Sequence, residues 1–270
     1  MNATDKIKNF FGLAKMPFSK AIGVNELFQG SSFKEACSRL EIALENEDIA
    51  LLTGDVGSGK SNVLRFFTHS LDPQAYKTVY IPADNFKIGE IAKRALAGLN
   101  VEIPYQATAA IRKLKQSIIS LNHDKGIKPV MVIDEAQQLP VTTLISLKNI
   151  LNYSMDSENL LFMILCAQKS ISETLVFSSL ESLKRRIRVN YSLHGLSLEE
   201  TSLYITHQLK ICDLERNIFT DETKAGVFHH SKGIISTINA VCFDLIIYAA
   251  AHSKDIIEPS MLEVVLQNKL

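Results

Sequence analysis

The sequence predicts an α/β fold: an αβα sandwich on a parallel sheet, followed by a small C-terminal helical lid. Three observations predict it. Short apolar runs alternate with amphipathic stretches along the first two thirds of the chain, the pattern of βα repeats. Two of those runs, PVMVID at 129–134 and LLFMILCA at 160–167, are apolar nearly throughout, as strands covered on both faces must be. From Ser197 onward the strand-like runs stop and the pattern turns helical. The boundary is expected near residue 195, with an αβα domain over 1–195 and a helical lid over 196–270.

Taken in order, residues 1–30 are mixed and loop-like, punctuated by Gly12, Pro17, Gly23 and Gly30. A helix is expected over 32–45, because Phe33, Cys37, Leu40 and Leu44 recur on one face. Residues 48–53 form a short apolar strand that runs into a glycine loop, and 61–70 a helix after it. TVYIP at 78–82 is a second strand, with helices over 88–99 and 108–122. Strand 129–134, helix 142–153, strand 160–167 and a short edge strand over 188–193 complete the series. Ser197 with Glu200 three residues on is a capping box that opens the lid's first helix. The lid should break at 213–217, at Gly233 and at Pro259.

With 270 residues the chain can bury the core of one large domain or two medium ones. Lys+Arg and Asp+Glu both count 29, so any nucleic acid would have to be held by a local basic patch. None of the four cysteines, Cys37, Cys166, Cys212 and Cys242, sits in a CxxC pair, which suits reduced, buried thiols in a cytoplasmic protein. The N-terminal stretch has no apolar core of a secretory signal. Residues 240–251 are too few to span a bilayer and carry Asp244, so no membrane span is expected.

The chemistry is concentrated in Gly54-Asp55-Val56-Gly57-Ser58-Gly59-Lys60-Ser61, which fits GxxxxGK[ST] at every fixed position. Glycines let backbone N–H groups approach phosphate oxygens closely, and the following helix aims its positive end at the same place. Lys60 is expected to reach the β- and γ-phosphates of ATP, and the Ser61 hydroxyl to bind Mg²⁺; Asn62 completes the cofactor-binding set. A chance match in a chain this long occurs on the order of one time in a hundred. Asp134 and Glu135 end the strand 129–134. In a P-loop sheet the first acid holds Mg²⁺ through water and the second orients or deprotonates the attacking water. A carboxylate at 135 suits a hydrolase better than a small-molecule kinase. Gln168, at the end of strand 160–167, could sense the γ-phosphate or align that water. The run Lys184-Arg185-Arg186-Ile187-Arg188 could supply an arginine finger to a neighbouring copy's ATP.

Together these features resemble the AAA+ ATPases, and within them the ExeA/TniB-like group, which includes secretion-associated ATPases and transposition ATPases related to Mu B and TnsC. The resemblance begins at Phe11-Gly12-Leu13 and Pro17-Phe18 and runs through the glycine loop and Ile133-Asp134-Glu135-Ala136 with Leu139-Pro140. Leu165-Cys166-Ala167-Gln168 looks like the group's sensor strand, and Arg186 matches its arginine finger. The chain departs from the group at Ser61 for threonine, at Ala167 for glycine, and at Ser236, where the lid usually carries an arginine. The resemblance implies ATP and Mg²⁺ as cofactors and a homo-oligomer in which Arg186 acts in trans. It further implies adenine contacts around Pro17, Phe18 and Phe28.

The function expected from this resemblance is ATP-dependent binding of double-stranded DNA as a transposition accessory that recruits or stimulates a transposase. The alternative is an ExeA-like secretion ATPase working with a membrane partner. Candidate DNA contacts are Lys87, Arg94, Arg112, Lys113 and Lys115, which would track phosphates without reading sequence.

Overall fold

The computed structural model describes residues 2–19, 22–46, 49–153 and 158–267. In chain order its elements are α1 (Ala3–Phe11), α2 (Ser31–Asn46), β1 (Ile49–Gly54), α3 (Lys60–Ser70), β2 (Tyr76–Pro82), α4 (Ile88–Gly98) and α5 (Ala107–Lys125). There follow β3 (Lys128–Asp134), α6 (Val141–Leu151), β4 (Phe162–Ala167), α7 (Ile171–Thr174), α8 (Glu181–Arg186) and β5 (Ile187–Leu193). The chain closes with α9 (Leu198–Lys210), α10 (Asp221–Ser231), α11 (Ile235–Ala251) and α12 (Pro259–Gln267). Its contacts divide it into two compact units. One is Lys34–Asp55 with Lys60–Leu193; the other is Met1–Phe33, Val56–Gly59 and His194–Leu270.

The first unit is the sheet and its helices. Five strands, in the order β2-β3-β4-β1-β5, pair in parallel throughout. The α/β class with a parallel sheet, expected from the sequence, is the one found. The three central strands are buried along their length apart from Lys128, which is why their sequences are near-continuous Ile, Leu, Val and Met. β5 and β2 are the edges, and their burial alternates. Because β3, β4 and β1 are parallel neighbours, Asp134, Ala167 and Gly54 close their strands at the same end of the sheet. That end is where an open α/β sheet presents its ligand site.

The second unit is helical, with a core that includes Tyr204, Ile205, Leu209, Val227, Leu245 and Ile246. The expected capping box is present: Ser197 Oγ accepts the N–H of Glu200 at 3.1 Å, and Glu200 Oε2 accepts the N–H of Ser197 at 3.0 Å. Asp213 and Gly233 take positive φ at the expected breaks, and the third falls where expected too: α11 ends at Ala251 and Pro259 opens α12, the first-turn placement that suits its missing N–H.

The N-terminal segment is a correction. Expected to be loop-like over 1–30, it contains the helix α1. Asn2 caps it by accepting the N–H of Asp5 at 2.8 Å, and Gly12 ends it in the left-handed conformation. Burial of Phe11 with Ile7 and Phe10 on the helical core stabilises a segment whose propensity alone would not. Asp48, expected to start β1, and the last lid residues to Leu270 lie outside the described residues. All four cysteines are buried. No helix among the described residues is long and apolar enough to cross a membrane.

Candidate functional site

The loop between β1 and α3 has an unusual backbone. Gly57 and Gly59 have φ of 77° and 103°, conformations that side-chain-bearing residues avoid, so the glycines of the motif are there for the backbone. Lys60 is 7% exposed, and its Nζ donates to the carbonyl oxygens of Gly54 and Asp55, both at 3.0 Å. Ser58 Oγ is buried with no hydrogen-bond partner among the described residues. A buried ammonium met by carbonyl dipoles, at the N-terminus of an 11-residue helix, fits a ligand that brings anionic oxygens. Ser61 and Asn62 occupy that helix's first turn, while Val56 projects outward and the carboxylate of Asp55 is turned to Lys169 at 2.7 Å. Within the helical unit, which includes residues 56–59, Gly57 O accepts the backbone N–H of Ser236 at 3.1 Å. A Cβ on Gly57 would stand 1.8 Å from Ser236 Oγ.

Across the end of the sheet, Asp134 is 6% exposed and fully engaged. Its Oδ2 accepts the hydroxyl of Tyr80 at 2.8 Å and its Oδ1 the N–H of Glu135 at 2.9 Å. Burial pushes the thiol of Cys166 up, and the charge and hydrogen bond of Asp134 push it further, so it remains a neutral donor. The phenol of Tyr80 is likewise raised, by the burial of its oxygen and then by Asp134.

Glu135 stands at φ 54°, left-handed in a residue with a full side chain, which swings the chain off β3. The 3₁₀ turn that follows, Ala136–Gln138, folds Gln137 back onto it. Gln137 Nε2 donates to Glu135 Oε2 at 2.5 Å, and Gln168 Nε2 donates to the same oxygen at 3.4 Å. Gln137 Oε1 accepts the backbone N–H of Gln168 at 3.0 Å, so one amide ties the end of β3 to the end of β4. Asp134, Glu135 and Gln168 therefore stand together at one end of the sheet, where Lys60 leaves β1's loop. Arg186 is elsewhere in sequence and structure, closing α8 ahead of the edge strand.

Two participants escaped the sequence reading. Gln137 had a local signal, an amide two residues beyond the acid pair. Tyr80 had only its place in a strand, and its contact depends on which strand lies alongside. Of the candidate basic contacts, Lys87, Arg112 and Lys113 are exposed. Arg94 is exposed as well and stacks 4.1 Å over the Phe86 ring, while Lys115 is partly buried and donates to the carbonyl of Asn152 at 3.0 Å. Phe18 and Phe28 pack edge-on to Phe219 and Tyr204 inside the helical unit.

Residues 43–175 match the family model of the AAA domain. Over 246 residues, 90% of its length, the chain is 30% identical to the general secretion pathway protein A of Aeromonas hydrophila. It spans 44% of that relative's length. Among solved structures, Cdc6p of Pyrobaculum aerophilum superposes with a TM-score of 0.70 at 13% identity, covering 93% of this chain and 70% of the other. The Aeropyrum pernix ORC1 protein, solved in complex with DNA, gives 0.66 at 15% identity, covering 91% and 66%. At such identities these structures establish the fold.

Proposed function

We propose, from the premise that the chain carries an AAA domain in a P-loop AAA+ fold, that it binds ATP on the loop from Gly54 to Ser61 and hydrolyses it with Glu135. The observation that carries this is the buried Lys60, its ammonium on the carbonyls of Gly54 and Asp55, at the strand ends where Asp134 and Glu135 also sit. Lys60 and the loop's N–H groups bind and orient the triphosphate. The Ser61 hydroxyl and the Asp134 carboxylate are the residues that would hold Mg²⁺. That ion, when bound with ATP, neutralises charge developing on the β- and γ-phosphates. Both amides on Glu135 sit on Oε2, so Oε1 is the oxygen left to accept a proton from the attacking water. Gln168 holds the water's side of the site, and Arg186 completes it from a neighbouring copy in a homo-oligomer.

For the work that hydrolysis drives, we take ATP-dependent binding of duplex DNA as a transposition accessory that recruits or stimulates a transposase. The motif resemblance supports this reading, and the exposed Lys87, Arg112 and Lys113 supply phosphate contacts for it. The similarity to general secretion pathway protein A favours a second reading, an ATPase coupled to a membrane partner in secretion. Duplex binding by the purified protein with ATP, with ADP and without nucleotide, at two salt concentrations, separates them. Binding that requires ATP, weakens with salt and ignores sequence supports the first. No binding in any state transfers the function to the second and leaves the ATP site untouched.

A further inference from the structure

β2 pairs with β3 in a register that sets Tyr80 opposite Val132 and Pro82 opposite Asp134. Asp134 lies two residues beyond Val132, so its side chain leaves the sheet on the same face as that of Tyr80. Such diagonal neighbours are about 7–8 Å apart at the backbone, a gap that aromatic and other long side chains can bridge. The phenol does so: its oxygen reaches Asp134 Oδ2 at 2.8 Å while 58% of the residue stays exposed. Packing does not account for a large ring left on the surface of an edge strand with its hydroxyl turned onto a buried carboxylate. With Glu135 N–H on Oδ1 and the Cys166 thiol also hydrogen-bonded to Asp134, donors on both oxygens fix the plane of the carboxylate.

We propose that Tyr80 is a positioning residue for the metal side of the site, holding Asp134 in the orientation that receives a water of Mg²⁺ bound with ATP. This rests on the ATP-hydrolysing reading above.

The test is Tyr80→Phe in the full chain, which removes one oxygen and keeps the ring. Equilibrium binding of Mn²⁺, followed by its electron paramagnetic resonance in the presence of a non-hydrolysable ATP analogue, reads the metal directly. Titration of the same analogue in EDTA reads the nucleotide alone. The expected result is about a tenfold weaker metal affinity, the size of one lost hydrogen bond to a charged group. Nucleotide affinity in EDTA should match the parent, which a general disturbance of the ATP site would not give. Equal metal affinity in variant and parent overturns the proposal and leaves the ATP reading standing. A parent that shows no nucleotide-dependent metal binding overturns both.

Discussion

The side-chain amide of Gln137 donates to Glu135 Oε2 at 2.5 Å and accepts the backbone N–H of Gln168 at 3.0 Å. It thereby holds the carboxylate of a residue whose backbone is left-handed. Glu135→Gln should keep ATP binding and lower turnover on the order of a hundredfold or more, the contribution of a positioned base. Gln137→Ala should leave the acid in place but loosely aimed, and lower kcat by about tenfold or more with little change in ATP affinity. Steady-state hydrolysis and nucleotide titration of both variants check this. Wild-type turnover in Glu135→Gln would show that the carboxylate is not the base.

Lys60 carries a different part of the load. Its ammonium is buried against two carbonyls, and bound phosphate would convert that arrangement into charge-assisted hydrogen bonds. Lys60→Ala is expected to abolish ATP binding in a fluorescent-nucleotide titration. The fold should survive, because an uncharged side chain in a polar loop leaves no buried charge behind. Retained micromolar binding would mean that the loop amides suffice alone.

Gly57 is constrained twice, by a φ of 77° and by Ser236, whose Oγ stands 1.8 Å from where a Cβ would be placed. Gly57→Ala should cost about 1–3 kcal/mol, combining backbone strain with the steric contact. The two causes separate in a double-mutant cycle, because Ser236→Gly removes only the contact. Thermal unfolding of the two single variants and the double should show partial rescue; full additivity would mean that the contact costs nothing.

The fold class was legible because its signals are local. PVMVID and LLFMILCA announce central strands by composition, and the glycine loop and the acid pair declare themselves by spacing within a few residues. What stayed hidden depends on distant partners. Tyr80 meets Asp134 only because β2 lies next to β3 in one register. α1 forms because Phe11 and its neighbours find the helical core, a reward that residues 1–30 do not display by themselves. α7 and α8 have four and six residues, too few for a helical period to stand out. The Gln137 amide lay in view, but a turn had to bring it back onto Glu135.

Glu200 gives a pH signature for the helical unit. Its carboxylate accepts the N–H groups of Ser31 at 2.6 Å and Ser197 at 3.0 Å. Partial burial raises its pKa, but those backbone hydrogen bonds outweigh burial and leave it below the usual 4.5. A depressed carboxylate contributes stability that is fully present above its unfolded value and is lost as pH falls through the folded one. Glu200→Gln keeps the shape and an acceptor oxygen but removes the charge, so it should cost about 1 kcal/mol at neutral pH. The gap between variant and parent should then close as the pH is lowered below about 4.5, where the parent's own carboxylate takes up a proton. Urea unfolding of both proteins at neutral and acidic pH measures it. A gap that stayed constant with pH would place the loss in the substituted side chain's packing and not in the charge.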